Sequence, residues 1–100
     1  MNQVRFAREF FDQLDVLLPI ENGYINDRPT RNEFLAAVIH IVLEQFRDHW
    51  DELFPLQTND DYRSFVSTGY VVPAYQVQGS LLADGTVLIG RVVIDFDLEW

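Results

Sequence analysis

The chain has 100 residues, of which 48% are hydrophobic and 14% aromatic, enough apolar surface for one core. Sixteen acidic residues outnumber seven basic ones, and the net charge of −9 disfavours contact with nucleic acid or an anionic membrane. Cysteine is absent, no apolar run reaches the length of a membrane span, and the N-terminus does not resemble a secretory signal. We therefore expect a single, soluble, cytoplasmic α+β domain over residues 1–100.

Two main helices are predicted in the first half of the chain. In residues 2–18, apolar side chains recur at a spacing of 3.6 and fall on one side of a helix. Residues 31–53 form the second helix, because Thr30 and Glu33 make a capping box at its start and Pro55 disfavours helix just before itself. The apolar stripe of this second helix is wide, which places it at the centre of the core.

Two shorter elements are predicted with less pattern to support them. A third helix over residues 60–67 follows Thr58-Asn59 as a cap and precedes Gly69 as a stop. Tyr24 and Ile25 are of residue types common in strands, and they could add a short strand to a sheet.

In the last quarter of the chain, apolar residues recur at every second position. This alternation predicts an antiparallel β-hairpin of residues 74–83 and 86–99 packed against the helices. Asp84-Gly85 between the two runs is typical of a two-residue type I′ turn. This turn sets a register that pairs the inner faces of the strands. The predicted pairs are Ala83 with Thr86, Leu81 with Leu88, Gly79 with Gly90, Val77 with Val92, and Tyr75 with Ile94.

Two consequences follow from this register. The pairing of Gly79 with Gly90 leaves a dent in the buried face, which Trp50 or a phenylalanine of the first helix should fill. The outer edge of the last strand is guarded only by carboxylates on its polar face, so it can pair with another strand. We expect self-association into a homodimer through this edge.

The best candidate for a metal site is the group His40, Glu44 and Asp48, spaced four residues apart along the second helix. Such a site would support a metal-dependent enzyme. The polar side of any amphipathic helix has the same pattern, and no HExxH-like motif accompanies this one. The serines and glycines form neither a nucleophile elbow nor a phosphate loop. We therefore predict no catalytic residue, no cofactor and no enzyme.

A row of carboxylates is predicted on the last strand. Asp95, Asp97 and Glu99 should project from its polar face at intervals of about 6.5–7 Å. This interval is similar to the distance between phosphates along one strand of DNA, so the chain could imitate nucleic acid and block a DNA- or RNA-binding protein. An ordinary solvated strand has the same pattern, so both interpretations stay open.

The leading hypothesis is a small acidic protein-interaction module that binds and regulates or inhibits a protein partner, as immunity, antitoxin or phage counter-defence proteins do. The alternatives are the nucleic-acid mimic, the metal-dependent enzyme and a small-molecule pocket lined by Phe and Tyr. The partner would be basic or would itself bind nucleic acid, and Tyr70, Tyr75 and Trp100 are candidate anchors. The predicted partner-binding residues are Asp95, Asp97, Glu99, Trp100, Glu44, Asp48, Asp51 and Glu52.

Overall fold

A computed structural model of the chain describes residues 3–18, 29–56, 59–68 and 72–96, with only the backbone at residues 59 and 60. Within these ranges five strands form one sheet in the order β1-β5-β4-β3-β2, parallel between β1 and β5 and antiparallel elsewhere. The predicted α+β class is confirmed, but the sheet is larger than a hairpin. The elements are β1 (Gln3–Phe6), α1 (Arg8–Leu17), α2 (Arg31–Asp48), a 3-10 turn (Trp50–Glu52), β2 (Phe54–Leu56), β3 (Asn59–Thr68), β4 (Ala74–Leu81) and β5 (Thr86–Asp95).

The first predicted helix is wrong at its start, because Gln3–Phe6 is a strand. Val4 pairs with Val87 and Phe6 with Ile89, which places both apolar side chains on the buried face of the sheet. Val4 and Phe6 are two residues apart, a spacing that a strand satisfies better than a helix. The helix α1 therefore begins only at residue 8.

The second helix begins at the predicted residue and ends earlier than predicted. The Thr30 hydroxyl accepts from the Glu33 N–H and the Glu33 carboxylate accepts from the Thr30 N–H, both at 3.1 Å. The helix ends at residue 48 rather than 53, because the chain turns back through the 3-10 turn to reach the sheet. Pro55 lies in β2, an edge strand of the sheet, and an edge strand tolerates a residue without an N–H.

The third predicted helix is also wrong, because residues 60–67 lie within the strand β3, which pairs with β4. An eight-residue segment is too short for its helical period to be distinguished from alternation. Tyr62, Phe65 and Val66 are β-branched or aromatic residues, which favour a strand once a partner strand lies beside them. Phe65 pairs with Val77 and faces the core.

The hairpin is confirmed as an element, but its loop has three residues rather than two. The Gly85 N–H donates to the Leu82 carbonyl (3.0 Å), and the Leu82 N–H donates to the Thr86 carbonyl (2.8 Å). Gly85 has a positive φ of 89°, which fits a type I turn followed by a left-handed residue. The predicted pair of Ala83 with Thr86 is therefore wrong.

A bulge in β5 restores the predicted register farther from the turn. Gln78 pairs with Arg91 but Gly79 pairs with Ile89, so Gly90 is the extra residue. Beyond the bulge, the pairs Tyr75–Ile94 and Val77–Val92 are confirmed. Between the bulge and the turn, the predicted pairs Leu81–Leu88 and Gly79–Gly90 are wrong, because Leu81 pairs with Val87 and Ser80 with Leu88.

Asp84 stabilises the hairpin turn through its side chain. Its Oδ1 accepts from the Thr86 N–H at 2.9 Å, and this backbone hydrogen bond holds the pKa of the Asp84 carboxyl below its usual value. Because the pKa of Asp84 is lower in the folded than in the unfolded chain, this hydrogen bond contributes its full stabilisation above the unfolded pKa of about 3.9. That stabilisation is lost as the pH falls through the folded pKa.

We therefore expect Asp84→Asn, whose amide oxygen accepts the same bond at every pH, to reduce the loss of stability on acidification. Urea denaturation of both proteins from neutral pH to below pH 4 measures this difference. Equal pH dependence of the two free energies of unfolding would contradict the assignment. Asp84→Ala, which has no acceptor, is expected to be less stable than either protein at neutral pH.

Both helices pack on one face of the sheet and form the core with it. The Phe34 ring lies edge-on to Tyr75, with the ring centroids 5.4 Å apart, which places α2 over the strand β4. A Cβ at Gly79 would lie 2.8 Å from Phe46 Cε1, so Phe46 of α2 occupies the dent. The predicted occupants, Trp50 or a phenylalanine of the first helix, are wrong. Neither helix in the described part of the chain has the length and apolar character needed to cross a membrane.

Candidate functional site

In the described part of the chain both helices lie on one face of the sheet, and we call the other face, which they do not cover, the open face. Its side chains alternate with the buried residues of each strand, because successive residues of a strand point to opposite sides of the sheet. The strand pairing aligns them in four rows across the sheet: Thr68–Ala74–Asp95, Val66–Gln76–Val93, Phe54–Ser64–Gln78–Arg91, and Tyr62–Ser80–Leu88–Arg5.

Large apolar side chains are exposed on the open face. The exposed fractions are 70% for Phe54, 50% for Tyr62, 51% for Val66 and 40% for Val93. The two aromatic residues lie on β2 and β3, at one side of the sheet, and the valines form one row with Gln76 between them. Clusters of exposed apolar side chains on a protein surface often mark sites of interaction with another protein.

The charge of the open face differs from that of the helical side. Arg5 and Arg91 lie at its β1–β5 side, and both are exposed. Among the described side chains, the carboxylate on this face is that of Asp95, which lies opposite Ala74 at the end of β5. The exposed carboxylates of the two helices are Glu9, Asp12, Asp15, Glu33, Glu44 and Asp48. The open face is therefore the least acidic broad surface among the described residues.

A slot of about 200 Å³ interrupts the open face between its aromatic and its arginine side. It is lined by Leu56, Tyr62, Gln78, Ser80, Leu88 and Arg91. Gly79 and Gly90 also line the slot. Its size and its mostly apolar lining suit one side chain of a docked protein, with the Arg91 guanidinium at its end.

The predicted metal ligands do not form a site in the described part of the chain. Within those ranges, no three His, Asp or Glu side chains come together as metal ligands would. Glu44 lies instead 3.8 Å from Nε2 of His49, and Nδ1 of His49 contacts the Glu52 carboxylate. Asp48 pairs with Arg47, whose side-chain hydrogen bond holds the pKa of the Asp48 carboxyl below its usual value.

The predicted partner-binding acids lie on different sides of the molecule. Asp95 is exposed on the open face, whereas Glu44 and Asp48 are exposed on α2, which covers the opposite face of the sheet. Asp51 and Glu52 are exposed on the 3-10 turn after α2. Glu44 and Asp48 therefore do not form one surface with Asp95.

The other predicted positions are either buried or outside the described residues. Tyr75 is buried in the core, 2% exposed, and is therefore not an anchor for a partner. The remaining predicted positions lie outside the described residues: Tyr24, Ile25, Tyr70, Asp97, Glu99 and Trp100.

The open face was not predicted from the sequence, because residues 54–56 and 59–68 were not predicted as strands. The signal that could have found it is the content of aromatic and β-branched residues, namely Tyr62, Phe65, Val66 and Thr68. No protein-family model, curated protein or solved structure matches this chain. The chemistry of the open face itself must therefore carry the functional interpretation.

Proposed function

We propose that this protein is a protein-interaction module that binds a protein partner through the open face. The observation that carries this proposal is the exposure of Phe54, Tyr62, Val66 and Val93 on a sheet face that the helices do not cover. Burial of apolar surface contributes about 25 cal/mol per Å², and aromatic side chains are frequent binding hot spots. Phe54 and Tyr62 are the expected anchors.

The proposed partner presents an apolar surface that inserts one side chain into the slot. Arg5 and Arg91 favour carboxylates of the partner at the β1–β5 side, where they would form charge-assisted hydrogen bonds. The partner is not strongly acidic overall, because the net charge of −9 on this chain would repel it at long range. By covering part of the partner, such binding regulates or inhibits it.

Photo-crosslinking tests this proposal and captures the partner in the same experiment. A photoreactive side chain at Tyr62 is expected to give one dominant crosslinked protein in cells of the native host. The same side chain at Val16, an 85% exposed position on α1, is the matched control and is expected not to give this product. Equal yields of this one crosslinked protein at both positions would contradict the open face as the binding site.

The partner identified in this way allows a quantitative prediction. We expect Val66→Glu to weaken its binding about tenfold or more, because the substitution buries a carboxylate in an apolar interface. Val16→Glu makes the same chemical change outside the open face and is expected to leave the dissociation constant within about twofold. Isothermal titration calorimetry measures both. If both variants bind as the unmodified chain does, the open face is not the interface.

A further inference from the structure

The outer edge of β5 is only partly covered in the described part of the chain. The strand β1 pairs with residues 86–89, and the Ala7 N–H donates to the Ile89 carbonyl (2.8 Å) as the chain leaves the sheet. Beyond that point, no described strand pairs with β5 on this side. A groove of about 640 Å³ separates this part of β5 from α1, and its lining includes Val16, Leu17 and residues 91–94.

The Gln13 side chain takes the place of a neighbouring strand at the start of this groove. Its amide nitrogen donates to the Gly90 carbonyl (3.0 Å), and its amide oxygen accepts from the Val92 N–H (2.9 Å). These are the two bonds that one residue of a parallel strand beside β5 would make. In an extended strand, the N–H and carbonyl of one residue point the same way, so the Val92 carbonyl and the Ile94 N–H also face the groove.

The sequence of this edge is complementary to itself in one antiparallel register. Centred on Val93, two copies of β5 would place Arg91 of each copy opposite Asp95 of the other, on the outer side of the sheet. Val93 would lie opposite Val93, and Val92 opposite Ile94. Opposite charges directly across a sheet stabilise the pairing, whereas a parallel arrangement in this register would bring like charges together.

We propose that this edge is a homodimer interface in which the β5 strands of two copies pair antiparallel about Val93. In this register Val92 and Ile94 exchange both backbone hydrogen bonds with the second copy. Arg91 and Asp95 belong to the closer, non-hydrogen-bonded pairs, in which side chains interact most strongly. The groove beside α1 provides the space for the added strand.

Gln13 is the competitor of the second copy in this interface. The second strand needs the Val92 N–H, so the Gln13 amide must withdraw from it when the dimer forms. A side chain that occupies a strand edge in this way also protects the free chain from indiscriminate pairing. Gln13→Ala removes the competitor and is expected to strengthen self-association severalfold.

Charge exchange on the full chain tests the proposed register. Arg91→Asp and Asp95→Arg each replace two opposite-charge pairs by two like-charge pairs, so each alone is expected to weaken self-association about tenfold or more. An equimolar mixture of the two variants is expected to form heterodimers, because every mixed pair is again of opposite charge. The double variant, R91D with D95R, is expected to dimerise like the unmodified chain. Sedimentation velocity and native mass spectrometry at about 0.15 M salt, where the Debye length is about 8 Å, give these readouts.

Several results would overturn the proposal. It fails if the unmodified chain stays monomeric up to its highest soluble concentration, or if Arg91→Asp alone dimerises normally. It also fails if the mixture of single variants shows no heterodimer, or if Gln13→Ala weakens association. Circular dichroism establishes that each variant is folded. The isolated chain is used throughout, so a failure here leaves the open face and its partner untouched.

Discussion

Replacing Phe46 with alanine is expected to lower the free energy of unfolding by about 3–5 kcal/mol. The Phe46 ring is 0% exposed and lies over Gly79, with the Trp50 ring centroid 6.2 Å away. Alanine would leave a cavity between α2 and the sheet, since two packed elements relax only partly into such a space. Urea denaturation followed by circular dichroism measures the change.

Adding a methyl group at Gly79, on the sheet side of the contact with Phe46, is expected to be destabilising as well. A Cβ at Gly79 would lie 2.8 Å from Phe46 Cε1 and 3.2 Å from Val87 Cγ1, closer than such contacts normally allow. Gly79→Ala should therefore cost about 1–3 kcal/mol through displacement of a packed ring. In the double variant with Phe46→Ala the methyl group enters the cavity, so the combined loss is expected to be smaller than the sum.

A matched control tests whether the loss of stability in Phe46→Ala comes from lost packing rather than from the change of residue type. Phe54→Ala removes the same atoms from a side chain that is 70% exposed, and we expect a change within about 0.5 kcal/mol. Additive losses for Phe46→Ala and Gly79→Ala would contradict the close contact. A large loss for Phe54→Ala would show instead that β2 depends on this ring for its stability.

The sequence predicted elements whose signals are local. The capping box at Thr30 and Glu33 needs only residues close in the chain, and it begins α2 at the predicted residue. The hairpin depends on alternation plus a turn, and both strands form. The turn type and the bulge were not predictable in the same way, because Asp84-Gly85 suits a two-residue or a three-residue loop.

Elements that depend on distant partners were mispredicted. β1 is a strand because it pairs with Thr86 to Ile89, more than 80 residues away in the chain, and the spacing of Val4 and Phe6 alone does not identify that partner. The residue spacing in β3 is compatible with a helix, and this segment becomes a strand because it pairs with β4. The open face depends on the same pairing. Tyr62 and Val66 are exposed there, because no helix in the described part of the chain covers their side of the sheet.

The turn between α2 and β2 depends on one cation, Arg63, which lies on β3. Its Nη1 donates to the carbonyls of Trp50 (3.1 Å) and Leu53 (3.3 Å), and its guanidinium lies 5.4 Å from the centroid of the Trp50 ring. The Trp50 carbonyl also accepts from the Leu53 N–H (3.2 Å), and a basic side chain near the end of a helix can supply such carbonyls with a further donor. Arg63 therefore joins the end of the helical layer to the sheet.

Arg63→Met is expected to lower the free energy of unfolding by about 1.5–3 kcal/mol, because it keeps the aliphatic stem but leaves two partly buried carbonyls without this donor. Arg63→Lys should fall between the unmodified chain and the Met variant, since an ammonium group can donate to the carbonyls but lacks the planar guanidinium that lies over the Trp50 ring. Arg8→Met is the matched control: the Arg8 side chain is 91% exposed and its Nε lies 3.9 Å from the Asp12 carboxylate, so a change within about 0.5 kcal/mol is expected. Hydrogen exchange should also show faster opening around Trp50 in the Met variant than in the Lys variant. If Lys and Met prove equally harmful and exchange near Trp50 is unchanged, the hydrogen bonds to the turn do not stabilise this fold.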